Sequence, residues 1–381
     1  HNTSKRRLNV IVPPGLVAAS KVGQPAGGGG GRGGLQSMGL GVASNRQGAF
    51  GDFQGQATVA GLRSVPPSGE VRSRAVAVPV GETIEVVIPA VCLNYGRPSP
   101  TGRDTLKIMD VDAYTTDPRI RKALRSLATL GTSQGVAQAV MWRLCNDLPF
   151  EQMAERTGKV MNLHEIVLAS RFVELLDESS SSELLDPASL ADSRIFLQVQ
   201  GEGVLGREAS RLNRQLEGLR VLGLPLRVVE TGTESLPAAT APALALRVVL
   251  TDAQTGETRG AIVVSSWGAA NSWVPLGKLA FRENSSISVL DGPALSKTID
   301  RAVSGAFVTV KPARRSVGST TLKVENRLPF TVGHLLVRAG NSAGSPSVPF
   351  SAVGVGPGRS MLLPLQAASA SLVEHVELNG L

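Results

Sequence analysis

Residues 23–34 read GQPAGGGGGRGG, and further glycines follow as far as Gly55. A run with almost no side chains cannot bury apolar surface and behaves as a tether. The fold must therefore come from what flanks it, a short apolar stretch ahead and a long body behind. The body is restricted too: aromatics make up 4% of 381 residues, against 42 glycines and 23 prolines. Cores must be built from Val, Leu, Ala and Ile, with frequent turns, which favours β-sandwich-like modules over large helical bundles. The length suits about two to four ordinary domains.

The formal charge is +8. Its basic clusters, Lys5-Arg6-Arg7 and the segments 119–125 and 311–315, are unrelated in sequence and have few aromatics nearby to stack bases. They read as solvated surface, so no nucleic-acid partner is expected. A surface polysaccharide suits the sign of the charge. No apolar run approaches ~18 residues, so no membrane span is expected. Residue 1 is His, and removal of a signal peptide accounts for this, placing the protein outside the cell or on its surface. His1 also raises a copper-binding histidine brace, but the other candidates, His164, His334 and His375, each stand alone. No metal site and no cofactor are expected.

Taken in order, residues 1–20 predict an N-terminal strand with Leu8, Val10 and Val12 on one face, interrupted by Pro13-Pro14-Gly15. Residues 21–55 are the Gly-rich tether. A strand on a tether can add to the sheet edge of a neighbouring copy, or it can fold back on its own chain. Residues 56–116 predict a β-rich domain, with Ile84, Val86 and Ile88 alternating. Helix takes over at Asp117-Pro118, an N-cap and N1 pair, and Ile120, Ala123, Leu124, Leu127 and Leu130 share one face. Gly131 ends that helix and Thr132 or Ser133 caps the next. The helical insertion spans 117–178. Residues 193–312 predict a small α/β domain with a hairpin around 252–256. Its strand and helix order looks like the small α/β domains of bacterial envelope assembly proteins, in topology alone. Residues 316–381 predict an immunoglobulin-like β-sandwich of short strands. The fold class is thus α+β and multi-domain.

The stretch 91–148 holds both cysteines, both tyrosines and one of three tryptophans. On the helix through residue 140, Ala137, Met141 and Leu144 form the apolar face. Gln138 and Cys145 border it, seven residues apart and aligned. Cys92 sits at a strand exit, so a Cys92–Cys145 disulfide is one expectation, stabilising by roughly 4 kcal/mol in the chain-entropy view. Two unlinked buried thiols are another.

Val91-Cys92-Leu93 and the run from Gln138 to Trp142 also resemble two signatures of the thioester domains of bacterial surface adhesins. The resemblance covers under a fifth of the chain. It implies a covalent bond between Cys92 and a Gln, with Gln138 the candidate, that reacts with a host nucleophile. Ala137 stands where that pattern has Thr, Val91 where it has an aromatic, and Gln198 is a formal match in a different domain to its separate downstream Gln. The paired signatures are similar, too, to uncharacterised secreted proteins of planctomycete-type bacteria.

Other constellations are thinner. Glu151, Glu155 and His164-Glu165 lack a second His at ligand spacing. The 23–34 tract lacks a Gly-Lys-Ser/Thr ending, so it is no phosphate loop. No Gly-x-Ser-x-Gly elbow accompanies a suitable His. The expected function is structural and not enzymatic: a secreted subunit of an extracellular fibre or surface assembly, self-associating as a homo-oligomer or polymer through its N-terminal strand. A cell-surface adhesin with a thioester or carbohydrate-binding site comes second, and a secreted enzyme acting on polysaccharide third.

Overall fold

A computed structural model describes residues 1–20, 34–42, 76–83, 88–155, 161–179, 184–229, 236–254, 256–267, 271–316, 319–339, 350–365 and 373–380. The glycine tract at 23–34 lies outside these, apart from its last residue. The chain is a mixed α and β protein whose described strands form five sheets.

The N-terminal region supplies β1 (Leu8–Val10), β2 (Leu16–Ser20), β3 (Met38–Leu40), β4 (Val76–Val78), β5 (Ala90–Cys92) and β6 (Leu106–Asp110). Strands β5-β3-β2-β6 form one antiparallel sheet, while β1 and β4 form a separate two-stranded ribbon. One N-terminal strand was expected and two are found. The chain reverses at Gly15, whose φ of 91° suits glycine. It then enters β2, where Val17, Ala18 and Ala19 are all buried. The expected units 1–20, 21–55 and 56–116 therefore contribute strands to a single sheet.

The ribbon settles where the N-terminal strand pairs. Leu8 stands opposite Val78 and Val10 opposite Val76 of the same chain. Asn2 pins this arrangement, its side-chain amide donating to the carbonyls of Arg6 at 2.8 Å and Val78 at 2.9 Å. The three apolar residues expected on one face separate: Leu8 and Val10 are 42% and 39% exposed, whereas Val12 is 3% exposed. The strand stops at Val10, and Val12 lies beyond it.

Helices α1 (Val111–Tyr114), α2 (Pro118–Leu130), α3 (Gln134–Asn146), α4 (Phe150–Glu155), α5 (Leu163–Glu178) and α6 (Pro187–Ala191) follow. The Asp117 side chain accepts from the Arg119 and Ile120 amides, and Pro118 occupies the first turn. Gly131, at φ 75°, closes α2, and Ser133 caps α3. Leu124, Leu127, Met141 and Phe172 share one buried cluster with Val17, Val91 and Leu93 of the sheet region. Sheet and helices are two layers over one core, not a domain carrying a separate insertion.

Next come β7 (Ile195–Gln200), α7 (Val204–Leu216), β8 (Arg220–Val221), β9 (Leu224–Val228), β10 (Ala243–Gln254), β11 (Glu257–Trp267), β12 (Trp273–Glu283) and α8 (Gly292–Phe307). The sheet order is β12-β11-β10-β7-β9-β8, with β7 parallel to both β9 and β10. Leu197, Leu246 and Ile262 face α7 and α8 through Leu212, Leu295 and Ile299. Strand β12 was not anticipated. Its pairing with β11 shifts register between Val264 and Ser265, which leaves Leu276 as an extra residue between Pro275 and Gly277.

The C-terminal strands are β13 (Val308–Ser316), β14 (Ser319–Asn326), β15 (Val332–Ala339), β16 (Phe350–Val355), β17 (Ser360–Leu365) and β18 (Val373–Gly380). They form two antiparallel sheets, β13-β14-β17 and β16-β15-β18. The boundary expected between 312 and 316 falls inside β13, which leaves α8 directly. Leu322, Val324 and Phe330 continue the same buried cluster as Leu197 and Leu295. Arg194, fully buried, donates to the Pro242 carbonyl at 2.6 Å and lies 5.3 Å from the Phe330 ring centroid. Burial pushes its guanidinium down to about 10. Among the described residues no helix is long and apolar enough to cross a membrane.

Candidate functional site

The structure brings Cys92 and Gln138 together, though not thiol to amide. Strand β5 is the edge of its sheet, so one side of its backbone has no strand partner. Helix α3 lies along that side and supplies side-chain amides in place of a strand. The Cys92 N–H donates to Gln138 Oε1 and Gln138 Nε2 donates back to the Cys92 carbonyl, both at 2.8 Å. Gln134 Nε2 donates to the Ala90 carbonyl at 3.2 Å. Asn146 Nδ2 donates to the Leu93 carbonyl at 3.0 Å, and the Tyr95 N–H donates to Asn146 Oδ1 at 3.0 Å. Positions 134, 138 and 146 fall on one helical face by the i, i+4 rule. A primary amide offers one acceptor and two donors, which matches the alternating needs of a strand edge. Trp142, on the same side, meets Tyr95 edge to face at 5.0 Å between ring centroids.

Both thiols are free. The seam that the expected Cys92–Cys145 disulfide would have closed is instead closed by these amides. Burial pushes the Cys92 thiol up, with a hydrogen bond to Ser99 opposing it. Burial pushes Cys145 up to about 12, with Asp117 adding to the effect. Both groups are thus protonated at neutral pH, whereas a reacting cysteine acts as its thiolate. Tyr114 is also pushed up by burial, and Ser37, Asn94 and Cys145 lie among its neighbours.

The N-terminal cap of α3 is held by charge. Glu165 is completely buried. It receives the Ser133 hydroxyl at 2.6 Å, the Asn162 N–H at 2.9 Å and Arg359 Nη2 at 2.8 Å. Ser133 caps α3, Asn162 caps α5, and Arg359 belongs to the turn between β16 and β17. A second bond crosses the same junction, from Asn162 Nδ2 to the Pro357 carbonyl at 2.8 Å. A Cβ at Gly135 would lie 2.3 Å from the Glu165 carboxyl carbon, so this contact requires glycine. Sequence reasoning noticed Glu165 only as a thin metal candidate. Among the described residues no three His, Cys, Asp or Glu side chains gather as a metal-ligand group.

A second feature escaped the sequence reading. Gly201, Gly203 and Gly206 spell Gly-x-Gly-x-x-Gly from the end of β7 into the first turn of α7. Glycine is required there for close packing: a Cβ at Gly201 would sit 2.8 Å from Leu205 Cβ, and one at Gly206 would sit 2.9 Å from the Gly201 carbonyl oxygen. Gly203 has a φ of 56°. The chain leaves β7 for β9 on one side while β10 flanks β7 on the other, which is a topological switch point. A crevice of about 780 Å³ opens there, lined by Gln200, Gly201, Leu205, Gly206 and Thr251, with Glu202 as its one carboxylate.

Comparison of the chain with family models, curated proteins and solved structures finds no match.

Proposed function

We propose that this protein is a non-catalytic subunit of an extracellular or cell-surface assembly, joining its neighbours through the edge of the β1–β4 ribbon. The supporting observation is the ribbon itself. Among the described residues β1 has no partner on its outer edge, and Leu8, Val10 and Ile11 are all 39% exposed or more. An open strand edge flanked by exposed apolar side chains is a template for strand addition. Since β1 is already paired within its chain, addition would be edge to edge rather than by exchange of a detached strand. The two C-terminal sheets, three strands each and joined in the order given above, support an immunoglobulin-like spacer module. Half-buried thiols whose titration is pushed up by desolvation favour a structural over a catalytic part.

The test must spare β2, because removing residues 1–35 would take a central strand out of its sheet. Leu8→Lys/Val10→Lys, at exposed positions, and deletion of residues 1–14 should each abolish self-association while leaving a folded monomer, read by light scattering and circular dichroism. Assemblies that persist in both variants overturn the proposal.

A second reading, an adhesin with a Cys92–Gln138 thioester, is favoured by one observation, the contact between those residues. Attack of the thiol sulfur on the amide carbon would expel ammonia, so the intact mass would fall by one ammonia, and methylamine would then open the thioester, freeing the Cys92 thiol and leaving residue 138 as an N-methylamide. An unmodified mass sinks it.

A further inference from the structure

The six-stranded sheet is covered by α7 and α8 on one face, and its other face carries a patterned surface. Strand alternation and the observed register assign the residues to rows. Arg247 of β10, Val263 of β11 and Lys278 of β12 stand side by side, placing the two cations about 10 Å apart across two ~4.8 Å strand spacings. Arg247 and Lys278 are exposed and form no ion pair among the described residues. Two rows further along the strands, Arg259 and Arg282 stand opposite each other and share one carboxylate, Glu257. The β10 partner of Arg259 in that row is Asp252, so two acidic residues, Asp252 and Glu257, accompany the arginines there, and the net positive charge belongs to the Arg247–Lys278 row. The row between holds small side chains, Val249, Ala261 and Ala280. That row continues to Gln200 of β7, which lines the crevice at the glycine turn. The trough therefore runs across the strands from β12 to β7 on the face opposite α7, whereas Leu205, Ala209 and Ser210 of α7 line the crevice.

We propose that this trough binds a linear acidic polysaccharide bearing carboxylates, laid across β12, β11 and β10. The charge pattern selects the occupant. Arg247 and Lys278 supply the positive charge, and guanidinium groups match carboxylates in paired hydrogen bonds. The tryptophans of this face, Trp267 and Trp273, pack edge to face with each other and Trp273 does so with Phe196. The inference goes beyond the assembly reading and does not depend on it, because the ribbon and the trough lie on different sheets.

Sodium alginate, a linear polyuronate, is the probe, with neutral dextran as control, in affinity electrophoresis and calorimetry on the full chain at low salt. Alginate should bind and dextran should not. Arg247→Gln/Lys278→Gln should weaken binding about tenfold or more, as losing two uncompensated cations implies. Ala280→Glu, which puts a carboxylate on the floor at an exposed position, should do the same without unfolding the sheet. Leu8→Lys/Val10→Lys should leave binding intact, so a failed ribbon and a failed trough give different results. Absence of alginate binding, or binding unchanged in both trough variants, overturns the proposal. Equal binding of single-stranded DNA or phosphatidylserine vesicles with the same sensitivity overturns it as well, since attraction would then be generic to polyanions.

Discussion

Helix α3 is fastened along one face and at its N-terminal cap, by opposite means. Along the Cys92 seam, Gln134, Gln138 and Asn146 offer neutral amides to a backbone edge, every partner matched by donor and acceptor. At the Glu165 junction a buried carboxylate is matched by one guanidinium, a hydroxyl and a backbone amide. A neutral seam loses one hydrogen bond when a partner goes. A charged junction that loses its cation leaves an ion in a dry place. The two arrangements hold the same helix but should fail differently.

The largest effect is expected at the charged cap. Arg359→Met strands the Glu165 carboxylate and should lower unfolding stability by about 3–5 kcal/mol in urea titration. Adding Glu165→Gln should recover part of that loss, because the uncompensated charge is gone. A loss under about 1 kcal/mol in the single variant would show that the junction does not rest on charge. Along the neutral face, Gln138→Leu leaves the Cys92 N–H and carbonyl without partners, for a loss of about 2–4 kcal/mol.

Gly135→Ala tests the packing at that cap. Its Cβ would lie 2.3 Å from the Glu165 carboxyl, and overpacking of this kind should cost about 1–3 kcal/mol. Restoration by Glu165→Ala in the double variant would confirm the contact.

The smallest effect concerns pH. Burial raises the Cys145 thiol to about 12. The folded state therefore favours the protonated form, so this contribution is complete below the unfolded thiol's value and is lost as pH rises towards 12. Stability should decline between about pH 9 and 12, and Cys145→Ala should remove part of that slope. A slope identical in both proteins would mean that the thiol is not held dry.

Much of the frame of α3 was legible in the sequence, because Asp117-Pro118, Gly131 and Ser133 have local reasons to sit at helix ends. The amide ladder was not. Gln138 and Asn146 look like solvated border residues until the edge of β5 is known to lie beside them. Strand β2 was hidden because LVAA lacks alternation, and β12 because Pro275, Leu276 and Gly277 break its period at the bulge. Gly201, Gly203 and Gly206 follow a readable strand, but a longer glycine tract earlier in the chain dominates any search for such loops. Glu165 was invisible as a junction because its partners lie at 133 and 359.

The free edge of β1 carries a consequence of symmetry. If two copies join β1 to β1, each presents the same patch to the other, the contact is two-fold and it closes on itself. Such a molecule would stop at a dimer. Growth into a filament requires β1 to meet a different edge on the next copy, a head-to-tail contact that leaves one end always unsatisfied. Counting subunits at rising concentration therefore tells which edge β1 meets before any second structure is determined.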